Sequence, residues 1–234
     1  MVAVFLLVAV LGAAALLVGL YLLYYGGYGG PIDWLMRTDR HGPRDRRVVA
    51  LTFDDGPDPI RTPALLDALA ELDVPATFFL VGDIVDANAD VVRRIAREGH
   101  ELGNHTYSHR YLPLASARSV ERELRATDRA VERATGIVPT LARPPWGGRS
   151  PWTVRAFRRL AKRLVLWDVN SNDWKGASAS DVAERVLERA QPGSIILMHE
   201  ARDGGEVTVE AVRLLVPALR ARGFELVTVS AAVA

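Results

Sequence analysis

The sequence predicts an α/β fold: an incomplete (β/α) barrel preceded by one N-terminal transmembrane helix. Three observations carry this. From Val48 onward, short apolar runs alternate with amphipathic stretches of helical length. Residues 2–25 are apolar throughout, and the polar residues that stand out all follow strand-like runs. Strands alternating with helices read as βαβ units and a mostly parallel sheet.

Taken in order, the first element is "VAVFLLVAVLGAAALLVGLYLLYY" (2–25), which carries no charge and exceeds the roughly 20 residues a bilayer span needs. Tyr21, Tyr24, Tyr25, Tyr28 and Trp34 cluster at its end, as an interfacial aromatic belt would. No basic stretch precedes it, and its one small-residue run, Ala13 to Ala15, lies inside the apolar core. An uncleaved anchor is therefore expected rather than a signal peptide. Residues 1–28 are assigned to the anchor, 29–46 to a Gly- and Arg-rich juxtamembrane linker, and 47–234 to the α/β domain. Orientation stays open on charge alone. Arg37, Arg40, Arg44, Arg46 and Arg47 follow the span and pull the domain towards the cytoplasm, but Asp33, Asp39 and Asp45 are interleaved with them.

Strands are expected at 48–53, 76–81, 164–169, 194–199 and 224–229, with shorter ones near Glu101–Gly103 and Thr140–Arg143. Helices are expected at 61–72, 88–98, 116–135, 150–161, 179–190 and 206–222. Roughly seven β/α units point to one barrel rather than two domains. The chain is 49% hydrophobic and 24% charged with a formal net charge of +1, which argues against a nucleic-acid partner. It has no cysteine, so disulfides, thiolate metal sites and Cys nucleophiles are excluded.

Asp54 and Asp55 follow the first strand, His105 and His109 the third, Arg143 the fourth, Asp168 to Trp174 the fifth, and His199 ends the sixth. This is the face on which β/α barrels build active sites. In "NHTYSH", the four-residue spacing would set His105 and His109 on one side of a helical turn. With Asp55 they make two histidines and a carboxylate, a catalytic divalent-metal set. Such an ion acidifies water and polarises a carbonyl oxygen. Asp54 is then the expected base and His199 the expected acid. Arg143 can fork onto Asp54, and the "PPWG" turn can aim a backbone N–H at an oxyanion. Asp173 would orient an imidazole and Trp174 form an apolar wall. Trp167 is expected in the core, while His41 and His100 are read as structural or exposed. The mixed-charge helix "SVERELRATDRAVERATG" is assigned no function.

"TFDDGP", "HTYSH", "RPPWG", "NDW" and "ILMH", in this order, resemble the polysaccharide deacetylases of the NodB-homology type, carbohydrate esterase family four, over residues 46–230. The resemblance implies a distorted (β/α) barrel and one divalent metal ion, zinc above all, with cobalt, nickel or manganese as alternatives. It implies Asp54 as base, Asp55, His105 and His109 as metal ligands, and Arg143 as the tether of the base. It further implies the Trp146 amide as oxyanion donor, Asp173 tuning the acid His199, and Pro145, Trp146, Gly147, Trp174 and Leu197 around the substrate. Trp146, Asn170 and Glu200 depart from the family's usual Tyr, Asp and Asp. The expected function is a metal-dependent removal of N-acetyl groups from an N-acetylated glycan, peptidoglycan or a chitin-like oligosaccharide, by a membrane-anchored, extracytoplasmic domain. Two alternatives stand beside it: deacylation or deformylation of a lipid-linked sugar at the cytoplasmic leaflet, and an inactive membrane-anchored carbohydrate-binding module.

Overall fold

The computed structural model describes residues 1–25, 37–201 and 205–234. Helix α1 (Val2–Tyr25) holds 24 residues without a charge. Its side chains are described only between Val4 and Gly19, fewer than the 18 or so apolar residues of a minimal span. Among the described residues no helix is long and apolar enough to cross a membrane. The expected transmembrane helix thus has no support here, and the belt residues Tyr28 and Trp34 lie outside the described residues.

The strands are β1 (Thr38–Asp39), β2 (Val48–Asp54), β3 (Thr77–Leu80), β4 (Glu101–Asn104), β5 (Leu141–Ala142), β6 (Arg163–Val165), β7 (Val169–Asn170), β8 (Ile195–His199) and β9 (Glu225–Leu226). The helices around them are α2 (Arg61–Glu71), α3 (Gly82–Val85), α4 (Ala89–Arg97), α5 (Ala117–Thr135), α6 (Pro151–Arg159), α7 (Ala179–Arg189), α8 (Gly205–Ala221) and α9 (Val229–Ala232). Local chemistry sets their ends. Ser116 caps α5 through its side chain and Gly136 closes it at φ 77°, while Ser178 and Asp181 form a capping box on α7.

All ladders between named strands are parallel, in the order β1-β6-β5-β4-β3-β2-β8-β7, with β9 beside β2. The expected strand 164–169 is broken in two. Its halves, β6 and β7, lie towards opposite ends of that order although only residues 166–168 separate them. Three residues span about 10 Å, so the sheet curls until its ends meet. On either side of the break, Leu166 N–H donates to Asp39 O at 2.7 Å, extending the β1–β6 ladder, and Asp168 N–H donates to Ile195 O at 3.2 Å, extending the β7–β8 ladder. An incomplete barrel results. The expected strand 224–229 is also shorter, because the Thr228 side chain caps α9.

Side chains of β2 alternate between two cores. Val49, Leu51 and Phe53 pack with the surrounding helices. Val48 and Ala50 join Phe79, Leu141, Ile195 and Leu197 in the second cluster, and Thr52 and Asp54 continue that face. The barrel interior therefore ends at its mouth in a carboxylate.

Residues 38–46, expected as the end of a linker, are stitched onto the barrel. β1 pairs with β6, Gly42 N–H donates to Gly193 O at 2.8 Å, and Arg44 donates to Asp168 at 2.9 Å. A Cβ at Gly42 would lie 1.8 Å from the Ala232 carbonyl. His41 makes a lone antiparallel bridge to Ser194.

Candidate active site

Asp54 closes β2 and His199 closes β8, and the two are register partners in adjacent strands. Asp55, His105, His109, Trp146, Trp174 and Leu197 join them around a cleft of about 540 Å³ at the C-terminal ends of the strands. Several of these residues have left-handed backbones: Asp55 (φ 75°), His109 (φ 47°) and Trp146 (φ 55°), as does Thr106 (φ 68°) between the histidines. Non-glycine residues in this region cost about 1–3 kcal/mol each and concentrate at functional sites.

His105 and His109 do not share a helical turn, contrary to the spacing argument. They stand in an irregular loop after β4, whose two positive φ values bring the imidazoles together with ring centroids 5.1 Å apart. His109 Nε2 lies 2.8 Å and His105 Nε2 3.5 Å from Asp55 Oδ1, and the three donor atoms fall within 4.8 Å of one another. His105 Nδ1 is 2.8 Å from the Arg143 carbonyl. A carbonyl only accepts, so Nδ1 carries the proton and Nε2 presents its lone pair to the cleft, the tautomer a metal requires. The donor set fits a divalent ion. Burial acts to raise the Asp55 carboxyl, but positive charge on the neighbouring His105 and His109, in the place a bound cation would take, holds it well below the usual range.

The loop between the histidines hangs on α5, the helix to which the sequence assigned no function. Glu123 accepts from Tyr107 N–H at 3.1 Å, Ser108 N–H at 2.8 Å and the Ser108 hydroxyl. Asn104 accepts from Thr106 N–H at 2.9 Å and donates to Asp128 at 2.8 Å, and Asp128 also pairs with the buried Lys162. Glu123→Ala should weaken metal affinity about ten-fold, since outer supports of metal ligands are worth about 10–100-fold. A chelator competition titration reads this; unchanged affinity would show that the loop holds its shape without α5.

Arg143 is fully buried and lies beneath the cleft. It donates to Asp54 Oδ1 at 2.7 Å, Thr52 Oγ1 at 2.8 Å and the Leu166 carbonyl at 2.9 Å, with Phe79 4.0 Å from its guanidinium carbon. Burial lowers its pKa, opposed by Asp54. The expected tether of Asp54 is thus in contact with it.

Asp173 sits behind His199 and accepts from its Nδ1 at 2.9 Å, its backbone N–H at 2.7 Å and the Thr208 hydroxyl at 2.7 Å. Nδ1 is therefore the donor, leaving Nε2 for the cleft. Burial pulls the His199 imidazole down, but the Asp173 hydrogen bond and the charges of Asp173, Asp54 and Asp55 outweigh it, and its pKa rises above 6.5. A raised pKa keeps the imidazole protonated to higher pH than a free one, and the proton is lost as pH climbs through the folded value. In Asp173→Asn the largest raising contributions vanish while burial remains. The alkaline limb of the pH–rate profile should then move to lower pH; an unmoved limb would assign it to another group.

Trp146 is half exposed, its ring 4.6 Å from that of His109. Its N–H has no hydrogen-bond partner among the described residues. Pro145 and Gly147 are buried and shape the turn without lining the cleft. Leu197 does line it, as does Trp167, which is otherwise core as expected. Asn170 accepts from Asn172 N–H at 2.9 Å, a local turn that Asp would also make. A Cβ at Gly56 would come 1.7 Å from Glu200 Oε1, so a larger residue there would require the Glu200 side chain to move. Burial pushes the Glu200 carboxyl up to about 8, against the Thr62 hydrogen bond. Asp168 is structural, accepting from Arg44, Ser194 and Ile195 N–H away from the cleft. Sequence reasoning missed Glu123, Asn104, Thr52 and Thr208; only Asn104, adjacent to the first histidine, carried any local signal.

The family described as polysaccharide deacetylase matches residues 41–165. A peptidoglycan-N-acetylglucosamine deacetylase of Bacillus cereus is 38% identical over 201 residues, which cover 85% of this chain and 73% of that protein. A chitooligosaccharide deacetylase of Rhizobium leguminosarum bv. trifolii is 35% identical over 199 residues, 80% of this chain and 92% of that one. The crystal structure of a peptidoglycan N-acetylglucosamine deacetylase in complex with 4-naphthalen-1-yl-N-oxidanyl-benzamide superposes with a TM-score of 0.84 at 35% identity, covering 88% of this chain and 97% of that one. With its ordered motifs, its parallel half-barrel and these likenesses, the chain belongs to the polysaccharide deacetylase family of the NodB-homology type, carbohydrate esterase family four, and is a hydrolase.

Proposed function

We propose that the protein is a metal-dependent N-deacetylase of peptidoglycan glycan strands. The observation that carries this is the meeting of Asp54 and His199 across one cleft whose third side is the Asp55, His105, His109 donor set. A divalent ion in that set would supply polarisation of the acetamide oxygen and a more acidic water. Asp54, oriented by Arg143, takes the proton from the attacking water. The Trp146 N–H donates to the oxygen that gains charge. His199 Nε2–H gives its proton to the departing nitrogen as the C–N bond breaks, so the amide and one water become acetate and the free amine. Trp146 and Trp174 offer flat apolar walls to the sugar rings. Peptidoglycan is favoured because a relative named for it is 38% identical over 201 residues, against 35% and 36% for two chitooligosaccharide deacetylases.

The apolar N-terminal segment belongs to the same proposal. It would hold the domain outside the cytoplasmic membrane, within reach of the wall. Acetate release from N-acetylated glycan oligomers, with and without chelator, tests the reaction. Release that persists undiminished after chelation would overturn it. Detergent-dependent fractionation and external protease access test the placement.

A further inference from the structure

Among the described residues the cleft contains one Lys or Arg side chain, and none of the roles above uses it. Lys175 lines the wall formed by the turn after β7, exposed to solvent, with its ammonium 4.9 Å from the Trp174 ring centroid. The chain has only two lysines. The other, Lys162, is buried against Asp128. Lys175 forms no ion pair among the described residues, and its backbone N–H is used by the turn itself, donating to Asn172 O at 3.1 Å. The other charged cleft residues, apart from the histidines, are Asp54 and Asp55. Among the described residues the cleft is thus divided electrically: carboxylates at the floor, where a cation is expected, and the Lys175 ammonium at the rim, beyond the apolar face of Trp174.

We propose that Lys175 is a specificity-determining residue that binds a carboxylate carried on or beside the reacting sugar, so that the preferred substrate is an anionic glycan rather than a neutral one. This rests on the deacetylase reading above and narrows its substrate class. A sugar stacked on Trp174 places its substituents at the edge of the ring, within reach of the flexible lysine stem. Cation–π contact restrains the ammonium without neutralising it, leaving its charge for a ligand. Contacts at such an exposed rim are modest and screened by salt.

The test compares three substrates with metal-loaded full-length protein: neutral N-acetylglucosamine oligomers, peptide-free glycan strands with ionised lactyl carboxylates, and peptide-bearing strands. For wild type, kcat/KM on an anionic strand should exceed that on the neutral oligomer, and the advantage should shrink with added salt. Lys175→Met, which keeps a long apolar stem, should cut kcat/KM on anionic strands about two- to five-fold through KM, while leaving the neutral oligomer unchanged. Whichever anionic strand responds names the source of the carboxylate. Equal loss on all three substrates, or no loss on either anionic strand, overturns the proposal while leaving the deacetylase reading intact. Binding of the three glycans to Asp54→Asn protein, read by calorimetry, gives the same comparison without turnover. A charge-dependent affinity there supports Lys175 even if the hydrolytic reading fails.

Discussion

Asp54→Asn should lower kcat for deacetylation by about 10²–10⁴-fold, the range general-base catalysis contributes, with little change in KM. The amide has the shape of the carboxylate but cannot take a proton from water. Its oxygen can still accept from Arg143 Nη1, which lies 2.7 Å from Asp54 Oδ1, so the interior keeps its hydrogen bond. The donor set of Asp55, His105 and His109 is untouched, and metal content should equal that of wild type. Steady-state kinetics together with metal analysis separate the two effects. A variant that kept more than a tenth of wild-type kcat would remove Asp54 from the role of base.

Arg143→Met should be the most destabilising single change at the site, by about 3–5 kcal/mol, the usual cost of breaking a buried ion pair from one side. Asp54 is only 3% exposed, and the variant leaves it without its counter-charge. The Thr52 hydroxyl and the Leu166 carbonyl lose a donor as well. Denaturant unfolding of the metal-free protein measures the loss. The double variant Arg143→Met, Asp54→Leu should recover much of it, because a well-packed apolar pair replaces a buried ion pair at little cost. A single variant within about 1 kcal/mol of wild type would mean that the pair can dissolve into water or neighbouring groups; surface ion pairs behave that way.

The residues that touch the cleft were the legible ones. Asp54, Asp55, His105 and His199 each end or directly follow a strand-like run, with His109 four residues beyond His105, and strand ends can be read from apolar pattern. What joins them was not legible. The loop from His105 to His109 takes its shape from Glu123, some fifteen residues on, and nothing in a mixed-charge helix marks one glutamate as a loop anchor rather than a solvated carboxylate. The helical spacing of the two histidines misled because positive φ at Thr106 and His109 breaks the turn. At Leu164–Val169 the run is apolar but for Asp168 and predicted one strand; closure of the curled sheet, a property of all the strands together, cut it at 166–168. β1 has two residues and no apolar pattern, leaving nothing for a periodicity to show.

That short strand decides where a recombinant fragment can begin. A chain started at Arg47, the boundary that the sequence suggests, would lack Asp39, which accepts from Leu166 N–H and pairs with Arg163. It would lack Gly42 and Arg44 as well, which fasten Gly193 and Asp168. Such a fragment should unfold at lower temperature than one started at Arg37, and expose the edge of β6 to pairing with other chains. Thermal melts and light scattering of the two fragments check this; matching melting points would show that the barrel holds without its strap.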